Sequence, residues 1–292
     1  MLHWLANLAA IGPPGFKSPL YLRVFGKITR GRKFRVRSNL GIDSKLRWSV
    51  PVDRPALAFG NPMNDQTEAS ALQVTRALAG GCDAFVDVGA NRGLFSLWAL
   101  GHFPKIVAIE ADPQLSKELR TNIDAAAVNI ELIAAAVSDR QGMLTFYVDQ
   151  DSDLMGSAVP VYSDLHRLQK IDVPAMALSE LLNERDFRRA FLKIDVEGYG
   201  STVWQGLRPA AGRVRGLVLE VTGPEASEGL PRRVIEDTGW HAYYLRGSEL
   251  IPSAKGEFDY VHPYWNWLFV QESPTELAPL LRDTGLRISA AS

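Results

Sequence analysis

The chain has one cysteine in 292 residues, Cys82, so no disulfide can form within it. A lone thiol suits a reducing compartment, and the cytoplasm is the expected location. Long apolar runs are also missing. The stretch from Met1 to Ile11 is apolar but is stopped by Gly12-Pro13-Pro14-Gly15, and it has no basic leader. It is too short to span a bilayer and does not read as a signal peptide, which leaves a short packing helix. Excess charge of either sign is absent. Lys and Arg number 32 against 33 Asp and Glu, for a formal net charge of -1 that selects no class of partner. Histidines at metal-ligand spacing are lacking too, because His3, His102, His166, His241 and His262 form no pair at helix or strand periodicity. No internal repeat or low-complexity tract is present.

A hydrophobic content of 46% with 22% charged residues is enough for a sizeable core. The length suits one large α/β domain with an appendage. Residues 1–64 read as that appendage. Basic residues crowd Lys17 to Arg54, opposed there only by Asp43 and Asp53. Lys33-Phe34-Arg35-Val36-Arg37 and Leu46-Arg47-Trp48-Ser49-Val50 alternate with the period of two of half-buried strands, predicting a basic β-hairpin. Such a hairpin suits an anionic acceptor or peripheral contact with an anionic membrane face, and equally a solvated face balancing an acidic remainder. Nucleic acid is disfavoured because the arginines are not interleaved with stacking aromatics. The pattern specifies no oligomeric state.

Over 65–292, strand and helix signals alternate, which predicts a doubly wound, mostly parallel α/β sheet. Strands are expected at Phe85 to Gly89, Ile106 to Ile109, Ile130 to Val137, Phe191 to Val196 and Leu217 to Val221. An antiparallel pair, His241 to Leu245 with Trp265 to Val270, closes the sheet. Asp112-Pro113 supplies an N-cap and an N1 proline to a helix. The rhythm breaks over 138–190, an insertion expected to form a lid or wall for substrate.

In such sheets ligands sit beyond the carboxyl ends of the strands. The first expected strand ends in Phe85-Val86-Asp87-Val88-Gly89-Ala90-Asn91-Arg92-Gly93, a glycine turn that lets a ligand approach the backbone. Asn91 stands where a dinucleotide fingerprint has its second glycine. Asp87 would repel a pyrophosphate and attract an ammonium group, as in the methionine part of S-adenosylmethionine; Arg92 is the one residue that could instead meet a phosphate. Glu110, followed by Ala111, ends the next strand about twenty residues on, a spacing suited to both ribose hydroxyls of an adenosine. Ala136, Val137 and Asp139 would edge the adenine. A helix cap or a solvated loop is the alternative for each acid taken singly. In Lys193-Ile194-Asp195-Val196-Glu197 the charges recur at every second position and so share one strand face. Asp195, then Glu197, are the candidate base or acceptor anchor, with His166 in the lid a third candidate. A Lys193 ion pair to Asp195 or Glu220 is the structural alternative. Asp195, Glu197 and Glu220 are also hard donors suited to magnesium, though their spacing does not indicate a metal.

These residues resemble the FkbM family of S-adenosylmethionine-dependent methyltransferases over about Phe59 to Phe269. The resemblance is carried by the Phe85 to Gly93 turn, Ile109-Glu110-Ala111-Asp112-Pro113, Ala136-Val137-Ser138-Asp139, Phe191-Leu192-Lys193-Ile194-Asp195-Val196-Glu197-Gly198-Tyr199, and Leu219-Glu220. It implies a seven-stranded Rossmann-like sheet, S-adenosylmethionine bound by Asp87, Gly89, Ala90, Asn91, Gly93, Glu110, Ala111, Ala136, Val137 and Asp139, and O-methylation of a sugar, glycan or natural-product hydroxyl. Two positions differ: Gly200 stands where the family usually has an acid, and Ala177-Leu178-Ser179 replaces Thr-Leu-Asp. A nicotinamide-dependent oxidoreductase and a non-catalytic adenosyl-binding scaffold are the competing readings.

Overall fold

The structure is a computed structural model that describes residues 66–149, 156–160, 168–257 and 264–289, with the backbone of 34–37 and 47–50. The helix expected over residues 1–11 and the candidate His166 lie outside the described residues. Strands β1 (Phe34–Arg37) and β2 (Arg47–Val50) pair antiparallel, with Phe34 opposite Val50.

After helix α1 (Gln66–Ala77), strand β3 (Ala84–Val88) leads through α2 (Leu94–Trp98) to β4 (Ile106–Ile109). Every residue of β3 and β4 is buried, as expected where helices cover both faces of a parallel sheet. Helix α3 (Pro113–Ala126) starts where Asp112 and Pro113 predicted. The Asp112 carboxylate accepts from the Gln114 and Leu115 amides, and Leu115, Leu119 and Ile123 form its buried stripe. Then follow β5 (Glu131–Ile133), β6 (Ala136–Ser138), β7 (Gly142–Asp149), β8 (Leu168–Ala177), α4 (Leu178–Glu184), β9 (Ala190–Ile194), α5 (Gly200–Leu207) and β10 (Val214–Thr222). The chain ends with α6 (Gly223–Ser227), α7 (Leu230–Thr238), β11 (His241–Arg246), β12 (Glu249–Pro252), β13 (Tyr264–Val270), α8 (Pro274–Leu280) and β14 (Arg287–Ile288).

Among the described residues the main sheet has nine strands, in the order β14-β12-β11-β13-β10-β9-β3-β4-β5, rather than seven. The run from β10 to β5 is parallel, and β13 lies antiparallel between β10 and β11. The two extra members are the short strands β14, at the edge of the sheet, and β12 beside it. The single strand expected over Ile130 to Val137 is two. β5 ends at Ile133 on the sheet edge, where one neighbour suffices, and β6 joins β8 and β7 in a separate three-stranded sheet. That second sheet occupies much of the 138–190 insertion. No helix among the described residues is long and apolar enough to cross a membrane.

Period-two alternation along β3 and β9 sorts the core into two layers. Phe85 and Phe191 face one way, with Phe103 between them at ring-centroid distances of 5.2 and 6.4 Å. Val86, Val88, Leu192 and Ile194 face the other way, towards Val203, Trp204 and Leu207 of α5. From β3 the chain winds outward through β4 to β5, then returns to add β9 and β10 on the opposite side. The strand order therefore switches between β3 and β9, and the carboxyl ends of these two strands flank the expected crevice.

Helix α5 lies close against β6, because a Cβ on Gly206 would fall on the Ser138 carbonyl oxygen. Gly206→Ala is expected to destabilise the fold by about 1–3 kcal/mol through overpacking, read as a lower urea midpoint at unchanged slope. An unchanged midpoint would show that this contact is loose.

Candidate active site

The glycine turn after β3 folds as it does for steric reasons. Gly89, Asn91 and Gly93 have φ of 72°, 51° and 92°, in the left-handed region that glycine enters freely and asparagine tolerates. The Gly89 and Ala90 amides both donate to the Ile109 carbonyl at 3.0 Å, and the Asp195 amide donates to the Val88 carbonyl at 3.0 Å. A Cβ on Gly89 would fall on the Asp195 carbonyl oxygen. Glycine is thus required twice at position 89, by its φ and by this contact, and the contact brings the turns after β3 and β9 together.

Glu110, at the end of β4, ties down the same turn. Its Oε2 accepts from the Asn91 amide at 2.7 Å and its Oε1 from the Asp112 amide at 2.8 Å. Burial pushes Glu110 up to about 7, outweighing the Asp112 and Asn91 amides that favour the carboxylate.

Asp87 does not meet the cleft, contrary to the sequence reading. It is fully buried, and its Oδ2 accepts from the Ser96 amide (2.9 Å) and hydroxyl (2.6 Å), so it anchors the first turn of α2. In the strand register its neighbour is Lys193. Burial raises the Asp87 carboxyl, with Lys193 and Ser96 pulling the other way. Arg92 is not a phosphate ligand in waiting either, because its side chain is buried on Glu118 at 3.0 Å.

Strand β9 stops at Ile194, so Lys193 alone of the three charges lies on the strand, and Asp195 and Glu197 follow its end. The Lys193 ammonium, 4.7 Å from the Phe95 ring centroid, bonds Asp195 Oδ2 at 2.6 Å. The ion pair set against the catalytic reading is therefore present, while Asp195 still reaches the cleft. Glu197 and Gly198 have φ of 47° and 88°, and the Tyr199 amide closes their turn onto the Val196 carbonyl at 3.3 Å. Both central residues are left-handed, as in the mirror-image turns that favour Asn-Gly. The Glu197 Oε2 is buried with no hydrogen-bond partner among the described residues. Burial, then the Asp195 charge beside it, push Glu197 up to about 8. One oxygen from each of Asp195, Glu197 and Glu220 lies within 4.8 Å of the others, a spacing open to a divalent cation, but Lys193 already brings a positive charge to this group.

The two turns enclose one cleft. Its lining comes from Gly89, Asn91, Glu110 and Ala111, from Leu115, Ala135, Ala136 and Val137, from Phe146, Gly156 and Ala158, and from Asp195, Val196, Glu197 and Tyr199. Eight expected site residues thus come together: Gly89, Asn91, Glu110, Ala111, Ala136, Val137, Asp195 and Glu197. Four do not line the cleft. Asp87 is buried, Ala90 is held on Ile109, Gly93 packs on Leu119 of α3, and Asp139 bonds Ser138 and Arg140 at the end of β6.

Three contributors went unread. Phe146 faces the cleft from β7. Ser157 bridges to the Glu197 turn, with only the small residues Gly156-Ser157-Ala158 as a sign of close packing. Glu225 caps α5: its Oε1 accepts from the Gly200 amide at 2.5 Å and the Ser201 amide at 3.3 Å, and its Oε2 accepts from the Thr222 amide and hydroxyl. A Cβ on Gly200 would meet that Oε1 at 2.8 Å. The capping-box spacing of Thr222 and Glu225 was the signal for this acid.

A doubly wound sheet with a cleft at its switch point, lined by Glu110, Asp195 and Glu197, is the arrangement of a nucleotide-cofactor enzyme. The methyltransferase FkbM domain family matches residues 87–250, and the chain belongs to that family. It is a methyltransferase whose methyl donor is S-adenosylmethionine. No curated protein matches the chain in sequence. Among solved structures it is similar to a human methyltransferase 10 domain containing protein (12% identity, TM-score 0.44, 90% of this chain and 100% of that one). It is also similar to an S-adenosylmethionine-dependent methyltransferase from Agrobacterium tumefaciens (11%, 0.45, 83% and 71%). A third is M. capricolum TrmK in complex with S-adenosyl-homocysteine (9%, 0.40, 68% and 67%).

Because the folded chain holds the Glu110 proton up to about 7 and the unfolded chain releases it near 4.5, the stability contributed by this group is fully present below 4.5 and is lost as pH rises through 7. The loss is on the order of 3 kcal/mol. Glu110→Gln is expected to flatten that part of the pH profile in urea unfolding, whereas parallel profiles for the two proteins would contradict the assignment.

Proposed function

We propose that this enzyme methylates a hydroxyl of a sugar, glycan or related natural product, with Asp195 as base or acceptor anchor and Glu197 beside it. The observation that carries this reading is the pair of carboxylates, Asp195 and Glu197, lining the same cleft as Glu110. S-adenosylmethionine, when bound, supplies a methyl group on a positively charged sulfur. Glu110 then offers acceptor oxygens for the ribose hydroxyls, and the apolar wall of Ala111, Ala136, Val137 and Phe146 suits adenine. In this reading the two carboxylates face that positive charge and the acceptor.

As the new carbon–oxygen bond forms and the carbon–sulfur bond breaks, the acceptor hydroxyl loses its proton, and a carboxylate oxygen at Asp195 or Glu197 takes it. Holding the acceptor in line with the methyl group supplies much of the remaining rate. In this reading residues 65–292 form the methyltransferase domain, the 138–190 insertion is the acceptor wall, and the basic 1–64 appendage receives an anionic part of the acceptor. His166 remains a third candidate from the insertion.

Calorimetry is expected to show saturable binding of S-adenosylhomocysteine and none of NAD; the reverse pattern would replace this reading with the nicotinamide one. With labelled methyl donor and a pool of glycans and metabolites, Asp195→Asn is expected to lower transfer about 10²–10⁴-fold. Equal transfer by both proteins removes Asp195 from the chemistry.

A further inference from the structure

Glu197 occupies a conformation that costs a side chain about 1–2 kcal/mol, yet it is not glycine. Something has to hold its turn, and the hydrogen bond within the turn, Tyr199 to Val196, is long at 3.3 Å. The support comes from Ser157. This residue is 2% exposed, and its hydroxyl donates to the Glu197 carbonyl at 2.7 Å, with the Val196 carbonyl 3.3 Å away. The hydroxyl oxygen in turn accepts from the Val159 amide at 3.1 Å, which leaves its single proton directed at the turn. Ser157 is itself fixed by two backbone hydrogen bonds to Tyr147 of β7, 2.8 and 3.0 Å long. The residues beside it, Gly156 and Ala158, line the cleft, and Glu197 lines the same cleft.

We infer that Ser157 is a positioning residue for methyl transfer: its hydroxyl, carried by the segment after β7, holds Glu197 left-handed so that its carboxylate is turned into the cleft towards the sulfonium. The bond joins the segment after β7 to the acid turn, so the two are set together. A buried hydroxyl bonded to carbonyls is ordinarily a small contributor to stability. Here it acts on a strained turn bearing a carboxylate with an unpartnered oxygen, and losing it lets the turn relax to a conformation that aims Glu197 elsewhere.

The inference rests on the cofactor reading above, and a comparison of the charged donor with its neutral product tests the two separately. Calorimetry of S-adenosylmethionine and S-adenosylhomocysteine is run on wild type, Ser157→Ala, Glu197→Gln and the double variant, above pH 8 so that Glu197 is ionised. Ser157→Ala is expected to lower the preference for the sulfonium ligand about fivefold while leaving S-adenosylhomocysteine affinity nearly unchanged. In the Glu197→Gln background the same substitution is expected to have no further effect on that preference. Ser157→Gly, which also removes the hydroxyl, serves as the second variant and is expected to match Ser157→Ala. Equal weakening of both ligands, or full additivity with Glu197→Gln, would overturn the inference alone. Wild-type protein that binds neither ligand would overturn the cofactor reading and this inference with it.

Discussion

The site depends on one close contact, the Asp195 carbonyl oxygen lying where a side chain on Gly89 would begin. β3 and β9 are parallel neighbours, and in most such pairs the loops beyond the strands diverge over their helices. Here the Asp195 amide extends the pairing to the Val88 carbonyl, one residue beyond the last strand pair. The left-handed Gly89 then turns the first loop away while leaving room for the second. The first loop brings Asn91, held by Glu110, to the cleft. The second brings Asp195 and Glu197 to it. Any side chain at position 89 would part the two loops.

Placing several carboxylates this close, largely out of water, is costly unless the charges are compensated. Lys193 provides much of that compensation. It is buried on the strand between the two loops, beside Asp87 in register, bonded to Asp195 and over the Phe95 ring. Asp87 contributes from behind by holding Ser96, which fixes the start of α2 under the glycine turn. The acids thus divide by environment. Asp195 is ion-paired and partly exposed to the cleft, whereas Glu197 keeps an unpartnered oxygen and is raised to about 8 by burial and by the Asp195 charge.

Much of this was legible in the sequence where a local rule applied. The Asp112-Pro113 cap, the buried runs of β3 and β4, and the glycines after β3 follow from backbone sterics and periodicity, and they appear as read. The reading failed where a side chain's direction depends on residues far along the chain. Asp87 sits at the expected end of the expected strand, but one of its oxygens accepts from Ser96 of the next helix, and the carboxylate is buried instead of lining the cleft. The alternation Lys193, Asp195, Glu197 suggested one strand face, yet the strand ends at Ile194 and a left-handed turn presents Glu197. The split of Ile130 to Val137 was hidden because Ala134 and Ala135 carry no turn signal, and β6 is held by pairing with β8, some forty residues later. Ser157 and Glu225 act across the fold, and only the second left a local trace.

The most direct test of this account is a crystal structure of the protein with S-adenosylhomocysteine. The account predicts the ribose hydroxyls on Glu110, the adenine against Val137 and Phe146, and the sulfur facing the Asp195 to Glu197 turn with the Gly89 contact intact. A ligand whose sulfur points away from that turn, or whose ribose leaves Glu110 on the Asn91 and Asp112 amides alone, would contradict it.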